Sequence, residues 1–116
     1  MKVLARYDEA VFPPRLNLVI FDAPHRRMHV RTIQQYRKSL EEACFQSAIR
    51  TPIDVPIDLE VWFVNPSSPD LGNLYLALEQ AMDGTTLRGS GKGIVTDDGL
   101  ISKTTMMKLF VGAKKK

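Results

Sequence analysis

The stretch that decides the fold is "IDLEVWFVNPSSPDLGNLYLALEQAMDG", residues 57–84, because its hydrophobic period changes part-way along. In residues 57–64 every second side chain is apolar, which is typical of a strand with one buried face. After the turn "NPSSP", leucines and Met82 recur at spacings of three and four, which predicts a helix over 71–83 that stops at Gly84. The segment therefore predicts a strand followed by a helix.

Three further segments extend this pattern on both sides. "RLNLVIF" (15–21) alternates like a strand, and Pro13 and Pro14 block its backward extension. Residues 34–49 carry an apolar stripe at helical spacing, and "LISKTTMMKLFV" (100–111) is typical of a last strand. The order strand, helix, strand, helix, strand predicts an α+β or α/β domain with a small mixed β-sheet flanked by helices.

Length and composition narrow the class of protein. A chain of 116 residues predicts a single domain over 1–116, with a basic tail at 112–116. No apolar run reaches the roughly 20 residues that span a bilayer, and the N-terminal residues lack a signal-peptide pattern. We therefore expect a cytoplasmic protein without a membrane partner. The single cysteine, Cys44, cannot form an internal disulfide and is predicted to be a small core residue.

Positive charge is clustered, although the formal net charge is only +3. One cluster comprises "HRRMHVR" (25–31) with Arg37 and Lys38, and a second runs from Arg88 to Lys92. Clustered cations attract polyanions through counterion release, so nucleic acid is the leading class of partner. The alternative is a small interaction protein without a nucleic-acid role, whose basic loops are only solvated.

Several common sites are excluded by their missing motifs. There is no CxxC or HExxH for a metal, and the two histidines have no partner at metal-ligand spacing. The glycine-rich loop 84–93 lacks the GK[ST] of a P-loop because Gly93 follows Lys92. We therefore expect no nucleotide cofactor.

Acidic residues at turns are the remaining candidates for chemistry. Asp70 precedes the predicted helix, where its side chain can accept backbone N–H groups, and Asp97 and Asp98 lie in the turn "TDDG". For each of these residues, the local structural role, in a helix cap or a turn, is enough to explain why an aspartate stands there. Together they could converge at one edge of a small sheet and bind Mg²⁺. Beside basic clusters, such a site would activate water against a phosphodiester.

The order of these motifs resembles the RusA family of Holliday junction resolvases. "SPDLGNLYLALEQAMDG" (68–84) followed by "GIVTDDGLISKTTMMKLF" (93–110) is similar to the family's aspartate-rich turn, its helix closing on Asp/Asn-Gly and its later "DD" turn into a strand. "FDAPHRRMHVRTIQQYRKSLEEA" (21–43) fits the region around the family's first helix. The resemblance spans roughly Leu16 to Phe110, which is nearly the whole chain.

The resemblance implies a homodimeric, Mg²⁺-dependent endonuclease, with Mn²⁺ as a possible second metal. Such enzymes resolve four-way or branched DNA in recombination and repair, and phages or prophages typically encode them. Matched position by position, Asp70 and Asp98 are the catalytic, metal-binding acids, Asp97 beside Asp98 is a third candidate for both roles, and Asn73 is the asparagine of the motif. The cations expected to contact DNA phosphates are Arg26, Arg27, Arg31, Arg37, Lys38, Arg88 and Lys92.

Two positions depart from the family's pattern. Gly72 stands where the family has a second aspartate, and Leu76 stands where it has a helix lysine important for cleavage. A lost carboxylate weakens the attraction for Mg²⁺, and a lost cation no longer neutralises the scissile phosphate. Two alternatives follow. Either the protein binds branched DNA without cutting it, or the site is rebuilt from Asp97, Asp98 and Asp83 or Lys92.

Overall fold

Four strands and two helices form the part of the chain that this computed structural model describes, residues 1–24, 30–66, 70–83, 93–96 and 98–111. In chain order they are β1 (Lys2–Asp8), β2 (Arg15–Phe21), α1 (Val30–Gln46), β3 (Ile57–Val64), α2 (Leu71–Met82) and β4 (Ile101–Leu109), with a short 3₁₀ turn at Asp98–Leu100. Neither described helix is long and apolar enough to cross a membrane.

The strands form one mixed sheet in the order β1-β2-β3-β4. β1 pairs with β2 antiparallel, whereas β2–β3 and β3–β4 are parallel pairs. A parallel neighbour requires a crossover, and α1 and α2 provide the two crossovers. The predicted α+β class with a small mixed sheet is confirmed.

The core lies between one face of this sheet and the two helices. Alternate residues of β2 and β3, from Leu16 to Ile20 and from Ile57 to Phe63, are buried. They form one cluster with the apolar stripes of the helices, which include Tyr36, Leu40, Cys44, Leu74, Leu78 and Met82. Each such side chain stabilises the fold by about 1.5–3 kcal/mol. The prediction of Cys44 as a core residue is confirmed, and burial raises the pKa of its thiol to about 11.

Most element boundaries follow the sequence pattern, with two larger differences. The first helix covers Val30–Gln46 rather than 34–49, and it ends at Gln46 because Ala48 adopts a left-handed conformation with φ 59°. The Ile49 N–H then donates to the Cys44 carbonyl at 2.8 Å, which closes the helix. The second difference is β1, an additional edge strand in which Val3, Ala5 and Tyr7 face the core.

Candidate functional site

Asp70 caps the N-terminus of α2. Its carboxylate accepts a hydrogen bond from the Gly72 N–H at 2.8 Å, and its own backbone is extended (φ −87°, ψ 105°). Its carbonyl accepts from the Leu74 N–H at 3.2 Å, which starts the helical ladder. The side chain is exposed, so the cap presents negative charge to solvent at the positive end of the helix dipole.

Gly72 lies directly against this cap. A Cβ added at Gly72 would stand 3.1 Å from Oδ1 of Asp70, which is closer than an ordinary contact. An aspartate at this position would therefore displace the capping oxygen by a few tenths of an ångström. On the same helix Asn73 is exposed, and Leu76, one of the two departures from the resembled pattern, is 52% exposed.

The predicted convergence of Asp70 with Asp98 is wrong within one protomer. Because β3 and β4 are parallel, Asp98 lies just before the amino end of β4, beside the amino end of β3. The carboxyl end of α2 lies at this same edge, since the Met82 carbonyl accepts from Ile94 and Val95 N–H and Val95 also pairs with Ile53. Asp70 is at the other end of this 12-residue helix. The helix axis alone separates the two ends by about 18 Å.

The part of the chain that the structure describes contains no group of three His, Cys, Asp or Glu residues able to hold a metal ion. Asp83, a candidate for rebuilding the site, is the buried C-cap residue of α2 and so lies at the opposite helix end from Asp70. Five other predicted site residues fall outside the described residues: Arg26, Arg27, Arg88, Lys92 and Asp97.

Arg37 is a structural residue, and its prediction as a phosphate contact is wrong. Its side chain is 3% exposed, and Nε donates to the Ala81 carbonyl at 2.8 Å. The guanidinium also donates to the carbonyls of Gln80 and Asp83. Desolvation lowers the pKa of Arg37, while Glu41 and Asp83 act in the opposite direction. A permanent cation at the last carbonyls of α2 is a favourable helix C-cap.

Two of the predicted DNA contacts, Arg31 and Lys38, are described and exposed. They are seven residues apart on α1, which is close to two helical turns, so both side chains lie on the same side of the helix. The apolar stripe of α1 faces the sheet, and these two cations therefore face away from it.

A cavity of about 530 Å³ lies near the amino end of β3, between β1 and the segment that joins α1 to β3. Its lining includes Tyr7, Glu9, Arg50 and Asp54, none of which was predicted as a site residue. Burial, followed by Glu9 and Asp54, raises the pKa of the Tyr7 hydroxyl. No sequence motif marks this cavity, because its lining combines the end of β1 with the segment 47–55, which is distant along the chain.

The second face of the sheet is a feature that sequence reasoning missed. Both helices join the core cluster on one face, and side chains on the other face are half-buried or exposed along most of its length. We call this second face the open face. Cross-strand partners point to the same side of a sheet, so the pairing registers arrange it in four rows. The rows are Lys2–Phe21–Val64–Leu109, Leu4–Val19–Trp62–Met107, Arg6–Asn17–Glu60–Thr105 and Asp8–Arg15–Asp58–Lys103.

Comparison of the chain with protein-family models, curated proteins and solved structures found no match.

Proposed function

We propose that this protein is a homodimeric, RusA-like protein that binds branched DNA through phosphate contacts, without cutting it. The observation that supports the non-cutting form is the distance of about 18 Å between the two ends of α2, because it separates Asp70 from Asp98. One carboxylate alone attracts Mg²⁺ weakly, since this ion needs several oxygen ligands in an octahedral arrangement.

Binding itself is supported by the charge on α1. Arg31 and Lys38 are exposed on one side of that helix, and the sequence places more cations directly before it at 25–29. Such residues contact phosphates and supply affinity, while the shape of the junction supplies selectivity.

A second candidate is the Mg²⁺- or Mn²⁺-dependent endonuclease that the resemblance implies. The observation that favours it is the exposed carboxylate of Asp70 at a helix N-terminus, inside the motif that resembles the family's metal-binding turn. For this candidate, further carboxylates must lie beside Asp70 to complete the metal site. The described residues of the same protomer do not supply them.

A labelled synthetic four-way junction tests both candidates, with a linear duplex of the same length as the control. We expect tighter binding to the junction, a steep loss of affinity between about 50 and about 200 mM salt, and no nicking with Mg²⁺ or Mn²⁺. Asp70→Asn should keep or increase the affinity, because it removes negative charge near phosphates.

Two outcomes contradict the proposal in different ways. Metal-dependent symmetrical nicking that Asp70→Asn and Asp98→Asn abolish would establish the endonuclease instead. Absence of binding to both DNAs at low salt would favour the interaction protein without a nucleic-acid role.

A further inference from the structure

The open face has an apolar half at the carboxyl ends of the parallel strands. Leu4 is 50% exposed and Leu109 is 41% exposed, and between them lie the half-buried side chains of Val19, Trp62 and Met107. Contiguous exposed apolar surface of this kind marks an interaction site on a soluble protein.

The directions of the strands also indicate that the open face is an interaction surface. β2, β3 and β4 are parallel neighbours, and parallel strands are normally covered on both faces. Here the helices of the described chain join the core cluster on one face only. Within the residues that the structure describes, the sheet therefore lacks the second layer that its topology usually has.

The polar half of the open face carries equal numbers of opposite charges, which argues against a polyanion as the occupant. Its outermost row is Asp8–Arg15–Asp58–Lys103, with signs that alternate along the row. The next row adds Arg6 and Glu60, so that these six charges sum to zero. Nucleic acid binding requires an excess of positive charge, whereas a protein interface requires complementary charge.

When the row Asp8–Arg15–Asp58–Lys103 is placed opposite the same row in reverse order, each charge faces a charge of the opposite sign. A two-fold axis parallel to the strands and between β2 and β3 exchanges β1 with β4 and β2 with β3, so each row faces the same row of a second copy. Asp8 then lies opposite the partner's Lys103, and Arg15 lies opposite the partner's Asp58. In the apolar half the same axis puts Val19 opposite the partner's Trp62.

We propose that the open face is the surface through which two copies of this chain associate, with their sheets stacked face to face about this axis. Stacked sheets lie about 10 Å apart and interdigitate their side chains. Two depressions of about 260 and 220 Å³ among the charged side chains of the polar half would receive the ends of the partner's charged groups.

The size of the face is sufficient for a modest dimer. Four strands of about seven paired residues cover roughly 440 Å² in projection, or roughly 900 Å² for the two copies. Side-chain relief makes the accessible area larger than this projection. The interface therefore falls near the lower end of specific interfaces, about 1,200 Å² in total.

Sedimentation of the full chain between about 1 and about 100 µM, without DNA or metal, tests the proposal. We expect the wild-type protein to sediment as a dimer. Val19→Glu and Met107→Glu should each raise the dissociation constant of the dimer at least about tenfold, because each substitution buries a charge at the interface. Phe45→Glu is the matched control: Phe45 is 82% exposed on α1, outside the open face, so the dimer should persist. Circular dichroism checks that each variant is folded.

Charge reversal provides a test that does not depend on one variant's stability. Arg15→Asp alone and Asp58→Arg alone each put like charges opposite one another twice in a homodimer, so each variant should dissociate at least about tenfold more readily. An equimolar mixture restores both attractive pairs in the heterodimer, although the pairs within each sheet stay like-charged. We expect the mixture to dimerise with nearly wild-type affinity.

Three outcomes would overturn the proposal: monomeric wild-type protein over the whole range, a dimer that Val19→Glu leaves intact, or a mixture no better than its components. If Val19→Glu weakened DNA binding while sedimentation stayed unchanged, the open face would be a nucleic-acid surface instead. This inference specifies the dimer of the proposed function, and it can fail while DNA binding succeeds, because the sedimentation experiment contains no DNA.

Discussion

Arg37 connects the two helices by donating to the last carbonyls of α2 from a buried position on α1. The last carbonyls of a helix lack the N–H groups of a following turn, so they accept hydrogen bonds from donors outside the helix. A hydrogen bond from a charged donor contributes about 1.5–3 kcal/mol, more than a neutral one. This single residue therefore fixes the carboxyl end of α2 against α1.

We predict that Arg37→Ala lowers the free energy of unfolding by about 3 kcal/mol, because it removes charged hydrogen bonds to buried carbonyls and a packed side chain. Arg37→Lys should lose less, since one ammonium keeps the charge but not the three-carbonyl geometry. Lys38→Ala is the neighbouring control, and its exposed side chain should cost less than about 0.5 kcal/mol. Urea unfolding measures all three. An unchanged midpoint for Arg37→Ala would contradict the structural role.

At the scale of single residues, the candidate site shows which roles could be predicted from the sequence and which could not. Asp70 was predictable as a cap because helix N-caps have a local signature. Arg37 was not, because amphipathic periodicity assigns charged residues beside an apolar stripe to the solvent, and its partners are 43 to 46 residues away along the chain. Tyr36 and Leu40 on either side of it are both buried, which is the available hint that it lies at the edge of the stripe.

At the scale of elements, alternation made β2 and β3 predictable, because their buried residues are large and apolar. β1 was missed because its core-facing residues Val3, Ala5 and Tyr7 do not alternate cleanly with polar ones, since Leu4 lies between the first two. The relative direction of the strands could also not be predicted from the sequence. The parallel pairing of β3 with β4 puts the turn at Asp98 at the opposite edge from Asp70, and no local pattern encodes that pairing.

The end of α1 gives a prediction at this scale. Ala48 has φ 59°, and its N–H donates to the Phe45 carbonyl while the Ile49 N–H donates to the Cys44 carbonyl, which is a Schellman motif. A left-handed conformation costs a residue with a Cβ about 1–2 kcal/mol, whereas glycine adopts it freely.

We therefore expect Ala48→Gly to raise the free energy of unfolding by about 1 kcal/mol, measured by thermal or urea unfolding. The adjacent Ser47 is exposed and has no positive φ. Ser47→Gly should accordingly give no gain, because glycine there only adds freedom to the unfolded chain. A loss of stability in Ala48→Gly would contradict the Schellman assignment.

At the scale of the whole molecule, the two proposed surfaces lie on opposite layers. The exposed cations Arg31 and Lys38 are on the helix layer, and the open face is the far side of the sheet. DNA binding and self-association should therefore respond to different substitutions, because no residue belongs to both surfaces.

We predict that Arg31→Gln combined with Lys38→Gln reduces the slope of log affinity against log salt for the four-way junction by about 2 per bound protomer, because each protomer loses two phosphate contacts. Sedimentation of this variant should match the wild type. Val19→Glu should do the reverse: it should shift sedimentation towards the monomer and leave the salt slope of each DNA-bound protomer unchanged. Arg50→Gln, which removes one exposed cation near the opposite end of α1, is the control and should change neither measurement. If the α1 variant lost its dimer, or if Val19→Glu changed the salt slope as much as the α1 variant does, the two surfaces could not be separate layers of one molecule.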